Sequence, residues 1–214
     1  MVKDNRIGVF GGTFDPVHIG HLIIAEILKY ELQLESVLFL PAGRPPHKPE
    51  QELAADHHRL AMLEIALADA PGYTISTIDL DRPGSSYTAT SLEILKSQLP
   101  AGTELYFLMG QDSLRDFPRW RDPDRIARLA RLGVALRPGV QVSVEEVNRA
   151  VPETEGRIQL VSVPLIGISS RDLRWRIRNH MPFRFQVPYG VAHYIDAHGL
   201  YLDAGPPPNS SQAI

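Results

Sequence analysis

The chain has 214 residues, no cysteine, and 22 basic against 25 acidic residues for a formal net charge of -3, which excludes disulfides, thiolate metal sites and cysteine nucleophiles. It also lacks the basic excess that a nucleic-acid binder or a membrane-surface anchor would carry, although a local basic pocket for a phosphate-rich small molecule would barely alter the total. The length suits one substantial core, "MVKDNRIGVF" does not read as a signal peptide, and no stretch approaches the roughly 20 apolar residues of a membrane helix. The expectation is therefore a soluble cytoplasmic protein with a single domain over residues 1–203; composition leaves a monomer and a homo-oligomer equally open.

In chain order, "RIGVF" (Arg6–Phe10) and "SVLFL" (Ser36–Leu40) are short apolar runs flanking the amphipathic stretch Val17–Tyr30, the pattern of a βαβ unit whose strands are buried on both faces. The alternation continues. A helix is expected near His57–Ala70, a strand at Tyr73–Asp79, a helix at Thr90–Gln98 and a strand at Glu104–Met109. Then come a helix at Pro123–Ala130, a strand at Leu132–Arg137, a helix at Val144–Ala150 and a strand at Ile158–Val163. Two helices, Arg171–Asn179 and Pro188–His198, close the fold, and "AGPPPNSSQAI" (Ala204–Ile214) reads as a disordered tail. The predicted class is α/β, a doubly wound and mostly parallel sheet. The polar loops Pro41–Asp56 and Asp81–Ser86 follow strands, at the sheet end where such folds bind ligands.

The first strand runs into "GGTFDPVHIGH" (Gly11–His21). Gly11 and Gly12 permit a tight turn and a close approach of backbone to ligand. Asp15 is expected to cap the next helix, with Pro16 in its first turn. The free N–H groups of that helix start form an anion site. His18 and His21, three apart, share its first turn, with Ile19, Leu22, Ile23 and Ile27 as the buried stripe. Phosphate binding is the preferred reading over two surface histidines. Zinc is weaker, because there is no cysteine and no H-E-x-x-H pattern, and neither of the common glycine-rich nucleotide motifs occurs.

Four further segments carry candidate chemistry. "PAGRPPHKP" (Pro41–Pro49) presents Arg44, His47 and Lys48 on a proline-stiffened loop suited to a phosphate monoester, or simply to solvent. "SSYTATSLEIL" (Ser85–Leu95) offers Thr88 or Thr90 as a helix cap. In "LMGQDSLRDFPRWRD" (Leu108–Asp122), Asp112 could cap a helix and Trp120 could be a partly buried anchor. "PLIGISSRDLRWRI" (Pro164–Ile177) sets Ser169 and Ser170 at a helix start before Arg171, Arg174 and Arg176, a phosphate clamp or an ordinary serine cap with solvated arginines.

"GGTFDPVHIGH" closely resembles the first signature of the nucleotidyltransferase superfamily with the H-I-G-H-type motif, in the form found in bacterial nicotinate mononucleotide adenylyltransferases. The other four segments resemble that family's later elements in the same order, so the resemblance spans nearly the whole chain. It implies that His18, His21 and Arg174 contact the triphosphate of ATP and steady charge as the α-phosphorus is attacked. Gly11, Gly12, Thr13, Phe14, Ile168, Ser169 and Ser170 would line the ATP site. It further implies that Lys48 meets the mononucleotide phosphate and that Tyr87 and Thr88 border the pyridine pocket, where backbone N–H groups receive the nicotinate carboxylate. Gly110 would be a point of close approach, Asp112 an acceptor for ribose hydroxyls and Trp120 a stacking face. The implied reaction joins ATP and nicotinate mononucleotide into deamido-NAD with release of pyrophosphate, with Mg²⁺ accompanying ATP and no metal-binding side chains assigned. Arg171 and Leu173 depart from the family's usual "I-S-S-T-x-I-R"; the resemblance gives Arg171 no role. Alternatives are transfer to nicotinamide mononucleotide or phosphopantetheine, a non-catalytic nucleotide sensor, and an RNA-binding relative of the tRNA synthetases, which share the H-I-G-H stretch.

Overall fold

The computed structural model describes residues 5–43, 53–137, 139 and 142–202. Six strands, β1 (Arg6–Gly12), β2 (Ser36–Pro41), β3 (Tyr73–Ile75), β4 (Glu104–Gly110), β5 (Arg131–Leu136) and β6 (Ile158–Ser162), form one parallel sheet in the order β3-β2-β1-β4-β5-β6. The chain starts in the middle, winds outward through β2 and β3, returns to β4 beside β1, and winds outward the other way. The winding reverses between β1 and β4, which opens a crevice above their carboxyl ends.

Among the described residues, eight α-helices cover the sheet: α1 (Ile19–Glu31), α2 (Asp56–Leu67), α3 (Thr88–Gln98), α4 (Gln111–Asp116), α5 (Pro123–Leu129), α6 (Val144–Ala150), α7 (Ser170–Arg178) and α8 (Tyr189–Ala197). Successive strand residues serve opposite faces, so each central strand feeds two cores. Phe10, Phe39, Tyr106 and Leu108 pack with Leu28 of α1, Met62 and Leu63 of α2, Leu173 of α7 and Val191 of α8. Their neighbours Val9, Leu40, Phe107 and Met109 pack with Leu92 of α3, Leu114 of α4, Ile126 of α5 and Val147 of α6. The register places Val9 between Leu38 and Phe107, so the middle of β1 has neighbouring strands on both sides and packed cores on both faces.

The end of β3, the start of α1 and the buried stripe of α1 differ from expectation. The strand expected over Tyr73–Asp79 ends at Ile75, because the chain then turns and buries Asp79, whose carboxylate accepts hydrogen bonds from Ser91 Oγ at 2.6 Å and Arg82 Nη2 at 3.0 Å. The first helix begins at Ile19 rather than Val17. Its inward face is Gly20, Ala25 and Leu28, with Leu22, Ile24 and Ile27 against the core; Ile19 and Ile23 are only half-buried. The expected tail, Ala204–Ile214, lies outside the described residues.

Candidate active site

The two glycines do not form the turn. Gly11 and Gly12 are the last residues of β1, paired with Leu40 and Pro41 of β2, and the chain turns at Phe14, whose φ of 47° is in the left-handed region. Glycine is needed there for space: a Cβ on Gly12 would lie 3.0 Å from the Phe14 ring, and one on Gly11 would lie 3.3 Å from Phe107. Phe14 is buried against Phe10 and Phe39.

Asp15 and Pro16 also differ from expectation. Asp15 joins Pro16 through a cis peptide bond, is fully buried, and does not cap α1; His18 occupies that position in extended conformation. Instead Asp15 is the hub of a buried network. Its Oδ1 accepts from Tyr201 Oη at 2.8 Å and from the Ala54 N–H at 3.3 Å, while its Oδ2 lies 3.4 Å from Arg174 Nη1. Burial raises the Asp15 carboxyl above its ordinary range, and Arg174, Tyr201, Ala54 and Arg59 oppose that shift. Burial and then the Asp15 charge raise the Tyr201 phenol as well.

His18 and His21 stack face to face, ring centroids 3.7 Å apart, and the Phe14 ring stands edge-on to His21 at 5.1 Å. The His18 backbone N–H donates to His21 Nδ1 at 3.2 Å, which leaves Nε2 as the protonated nitrogen of neutral His21. His18 Nδ1 is buried and has no hydrogen-bond partner among the described residues. Burial lowers the His18 pKa to about 4; burial, then the neighbouring His18, lowers His21 well below its ordinary value. At neutral pH both rings are therefore uncharged hydrogen-bonding groups at the start of a helix. That is a polarising arrangement, and an arriving polyanion would favour their protonation.

The second helix start comes to the same place. Ser169 caps α7, its Oγ accepting from the Asp172 N–H at 3.1 Å, and a capping oxygen keeps its own O–H to donate. Ser170 Oγ donates to the Pro16 carbonyl at 2.9 Å, and Arg174 Nη1 donates to the Asp15 carbonyl at 2.6 Å. Ile168 packs against the core below them. The predicted residues His18, His21, Ser169, Ser170 and Arg174 are thus brought together across the Asp15–Pro16 turn. Arg176, also considered for the clamp, instead pairs with Asp172 at 2.6 Å.

The opposite wall is built from the loops after β2, β3 and β4. The Gly43 N–H donates to Ser86 Oγ at 3.1 Å, and the Arg121 guanidinium lies over the Tyr87 ring, 4.3 Å from its centroid. Tyr87 occupies the cap position of α3 and Thr88 is that helix's first residue, so neither Thr88 nor Thr90 is the cap. Gly110 holds the cap position of α4, which puts Asp112 inside the first turn, exposed and 3.4 Å from Arg115. A Cβ at Gly110 would meet nothing within 4 Å, so the end of β4 faces open space at the crevice. Trp120 is half-buried, braced by Phe107 and Phe117 at 5.9 and 5.7 Å. Arg44, His47 and Lys48 lie outside the described residues.

Sequence reasoning missed the residues behind this surface. Arg59 is fully buried, donating to the Thr13 carbonyl at 2.8 Å, the Ala54 carbonyl at 3.2 Å and Asp56 Oδ1 at 2.5 Å. Its one sequence signal is that Arg59 shares the i, i+3, i+4, i+8 stripe of Met62, Leu63 and Leu67, where a cation is out of place. Gly43 is another: a Cβ there would lie 2.2 Å from the Asp79 carbonyl oxygen.

A doubly wound sheet with two helix starts and a stacked histidine pair above its switch point defines a Rossmann-like protein of the nucleotidyltransferase class. Residues 9–176 match the cytidylyltransferase-like family. A Thermomicrobium roseum protein named "probable nicotinate-nucleotide adenylyltransferase" is 53% identical over 197 residues, covering 92% of each chain. A Roseiflexus protein of the same name is 46% identical, covering 91% of this chain and 97% of its own. The chain belongs to the cytidylyltransferase-like family and, within it, to the nicotinate-nucleotide adenylyltransferases. A solved structure of the Plasmodium falciparum nicotinic acid mononucleotide adenylyltransferase complexed with NaAD shares the fold, with a TM-score of 0.74 at 19% identity over 92% of this chain and 97% of its own. No helix among the described residues is long and apolar enough to cross a membrane.

Proposed function

We propose that this chain, acting as one domain in the cytoplasm, transfers the adenylyl group of ATP to nicotinate mononucleotide. A mononucleotide phosphate oxygen attacks the α-phosphorus of ATP; the new P–O bond forms as the bond to pyrophosphate breaks, giving nicotinate adenine dinucleotide. The observation that carries the reading is the meeting of the α1 and α7 starts across Asp15–Pro16, through the 2.9 Å Ser170–Pro16 and 2.6 Å Arg174–Asp15 bonds. The names of relatives up to 53% identical support the choice of substrate.

The attacking phosphate is already ionised at pH 7, so the chemistry asks for position and charge stabilisation rather than a general base. His18, His21 and the free N–H groups of the two helix starts hold the triphosphate, and Arg174 supplies the permanent positive charge. Gly11, Gly12, Thr13 and Phe14 border that site, and Gly110 and Asp112 border the ribose. Lys48 holds the mononucleotide phosphate, with Tyr87, Thr88 and Trp120 around the pyridine ring. Asp15, the carboxylate beside the histidines, has Tyr201 and Ala54 on Oδ1 and Arg174 3.4 Å from Oδ2; no side chain is assigned to a metal, and Mg²⁺ would come with ATP and offset phosphate charge.

The test is pyrophosphate release from ATP with nicotinate mononucleotide, nicotinamide mononucleotide and phosphopantetheine in parallel. Turnover with nicotinate mononucleotide is expected. His18→Ala should lower it by roughly 10²-fold, the scale of one preorganised donor. ATP binding without pyrophosphate release from any acceptor would overturn the reading in favour of a nucleotide sensor.

A further inference from the structure

Nicotinate and nicotinamide mononucleotides differ at one ring substituent, a carboxylate against a neutral carboxamide. Backbone N–H groups at a helix start donate to an oxygen of either and favour the anion only through the partial charge of the helix start. A full positive charge does distinguish them, because it attracts the anion and gains little from the amide.

We infer that Arg121 is the residue that selects the acidic substrate, its guanidinium seated on the face of Tyr87. The inference rests on the reading under Proposed function, which puts the pyridine ring at this wall. Arg121 directly follows Trp120, whose ring is held in place by Phe107 and Phe117, and the guanidinium carbon lies 4.3 Å from the Tyr87 centroid. That contact joins the loop after β4 to the start of α3, so Tyr87 is tied to the residue that follows Trp120. A cation–π seat fixes the orientation of a guanidinium without neutralising it.

Neighbouring arginines are spent on carboxylates: Arg82 on Asp79, Arg115 on Asp112 and Arg125 on Glu93. Arg121 pairs with no carboxylate among the described residues, and it is exposed. Its forked N–H donors match a carboxylate in shape as well as charge. Hydrogen bonding from Arg121, and then Ser85, holds the Tyr87 phenol below its ordinary range.

The experiment measures kcat/KM for both mononucleotides at saturating ATP in the unmodified enzyme, Arg121→Gln and Arg121→Lys. Arg121→Gln should cut kcat/KM for nicotinate mononucleotide about tenfold or more, the scale of a hydrogen bond to a charged group. The nicotinamide value should stay within about twofold, and the KM for ATP should not move. Arg121→Lys, with charge but no fork, should keep part of the preference. The side chain is exposed, so equal melting temperatures should accompany these changes. A fall by the same factor for both mononucleotides would make Arg121 a brace for its loop and overturn the inference, as would an unchanged ratio. An unmodified enzyme that turns over neither substrate overturns the functional reading itself, and the inference with it; turnover with an unchanged ratio overturns the inference alone.

Discussion

The buried histidine pair makes stability depend on pH in a way that can be worked out and isolated. Burial lowers the His18 pKa from 6.5 to about 4, so between those values the unfolded chain binds a proton that the folded chain refuses. Stability from this group is complete above pH 6.5 and is lost as pH falls toward 4. By pH 5 the loss from His18 alone is about 2 kcal/mol, equivalent to roughly 4–8 °C in melting temperature for a chain of this size. His21 is shifted in the same direction and adds its own loss, whereas the raised Asp15 works the other way, its folded carboxyl accepting a proton more readily than the unfolded one. The total curve therefore mixes several groups, and His18→Gln removes one of them together with its influence on His21. Urea unfolding at pH 7.5 and pH 5 should show the parent losing about 2 kcal/mol more than the variant across that interval. Parallel losses in the two proteins would refute the argument, because His18 would then be no harder to protonate folded than unfolded.

The network behind the site gives three further expectations. Tyr201→Phe removes the 2.8 Å bond to buried Asp15; it should cost about 1–3 kcal/mol by thermal melting and raise the KM for ATP, because Asp15 also places Arg174. Arg59→Ala takes a fully buried guanidinium away from its three acceptors, the Ala54 and Thr13 carbonyls and Asp56. It should cost about 1–3 kcal/mol, and unchanged urea unfolding would show that the pairing is dispensable. Gly43→Ala would put a methyl 2.2 Å from the Asp79 carbonyl, forcing the loop off Ser86; steady-state kinetics should show the KM for the mononucleotide rising while that for ATP holds.

Much of the fold was legible because its signals are local. Apolar runs of strand length alternating with amphipathic stretches gave all six strands and their parallel arrangement, and α6 was placed residue for residue at Val144–Ala150. Boundaries slipped where a distant partner decided them. β3 stops early because Asp79 turns inward to Ser91, 12 residues later. α1 starts late because Asp15 is engaged by Tyr201, 186 residues away, and so cannot serve as a cap. Local preference correctly marked Asp15 as a capping type, but a buried carboxylate goes to the partner that compensates its charge.

The sequence by itself determined the chemistry on offer: two histidines three apart after a glycine pair, a serine pair before arginines, and a tyrosine and a tryptophan in separate loops, with no cysteine. Those are properties of residue type and spacing, and they carry the family resemblance. Only the tertiary structure decided which of these groups meet and in what charge state. The Asp15 hub joining Arg174 to Tyr201 and the seat of Arg121 on Tyr87 depend on contacts between elements far apart in the chain, and the stacking of His18 on His21 beside Phe14 depends on the turn that buries them. Desolvation and charge pairing act through space, so the sequence names the groups and packing sets whether each is neutral, paired or left with charge to offer a substrate.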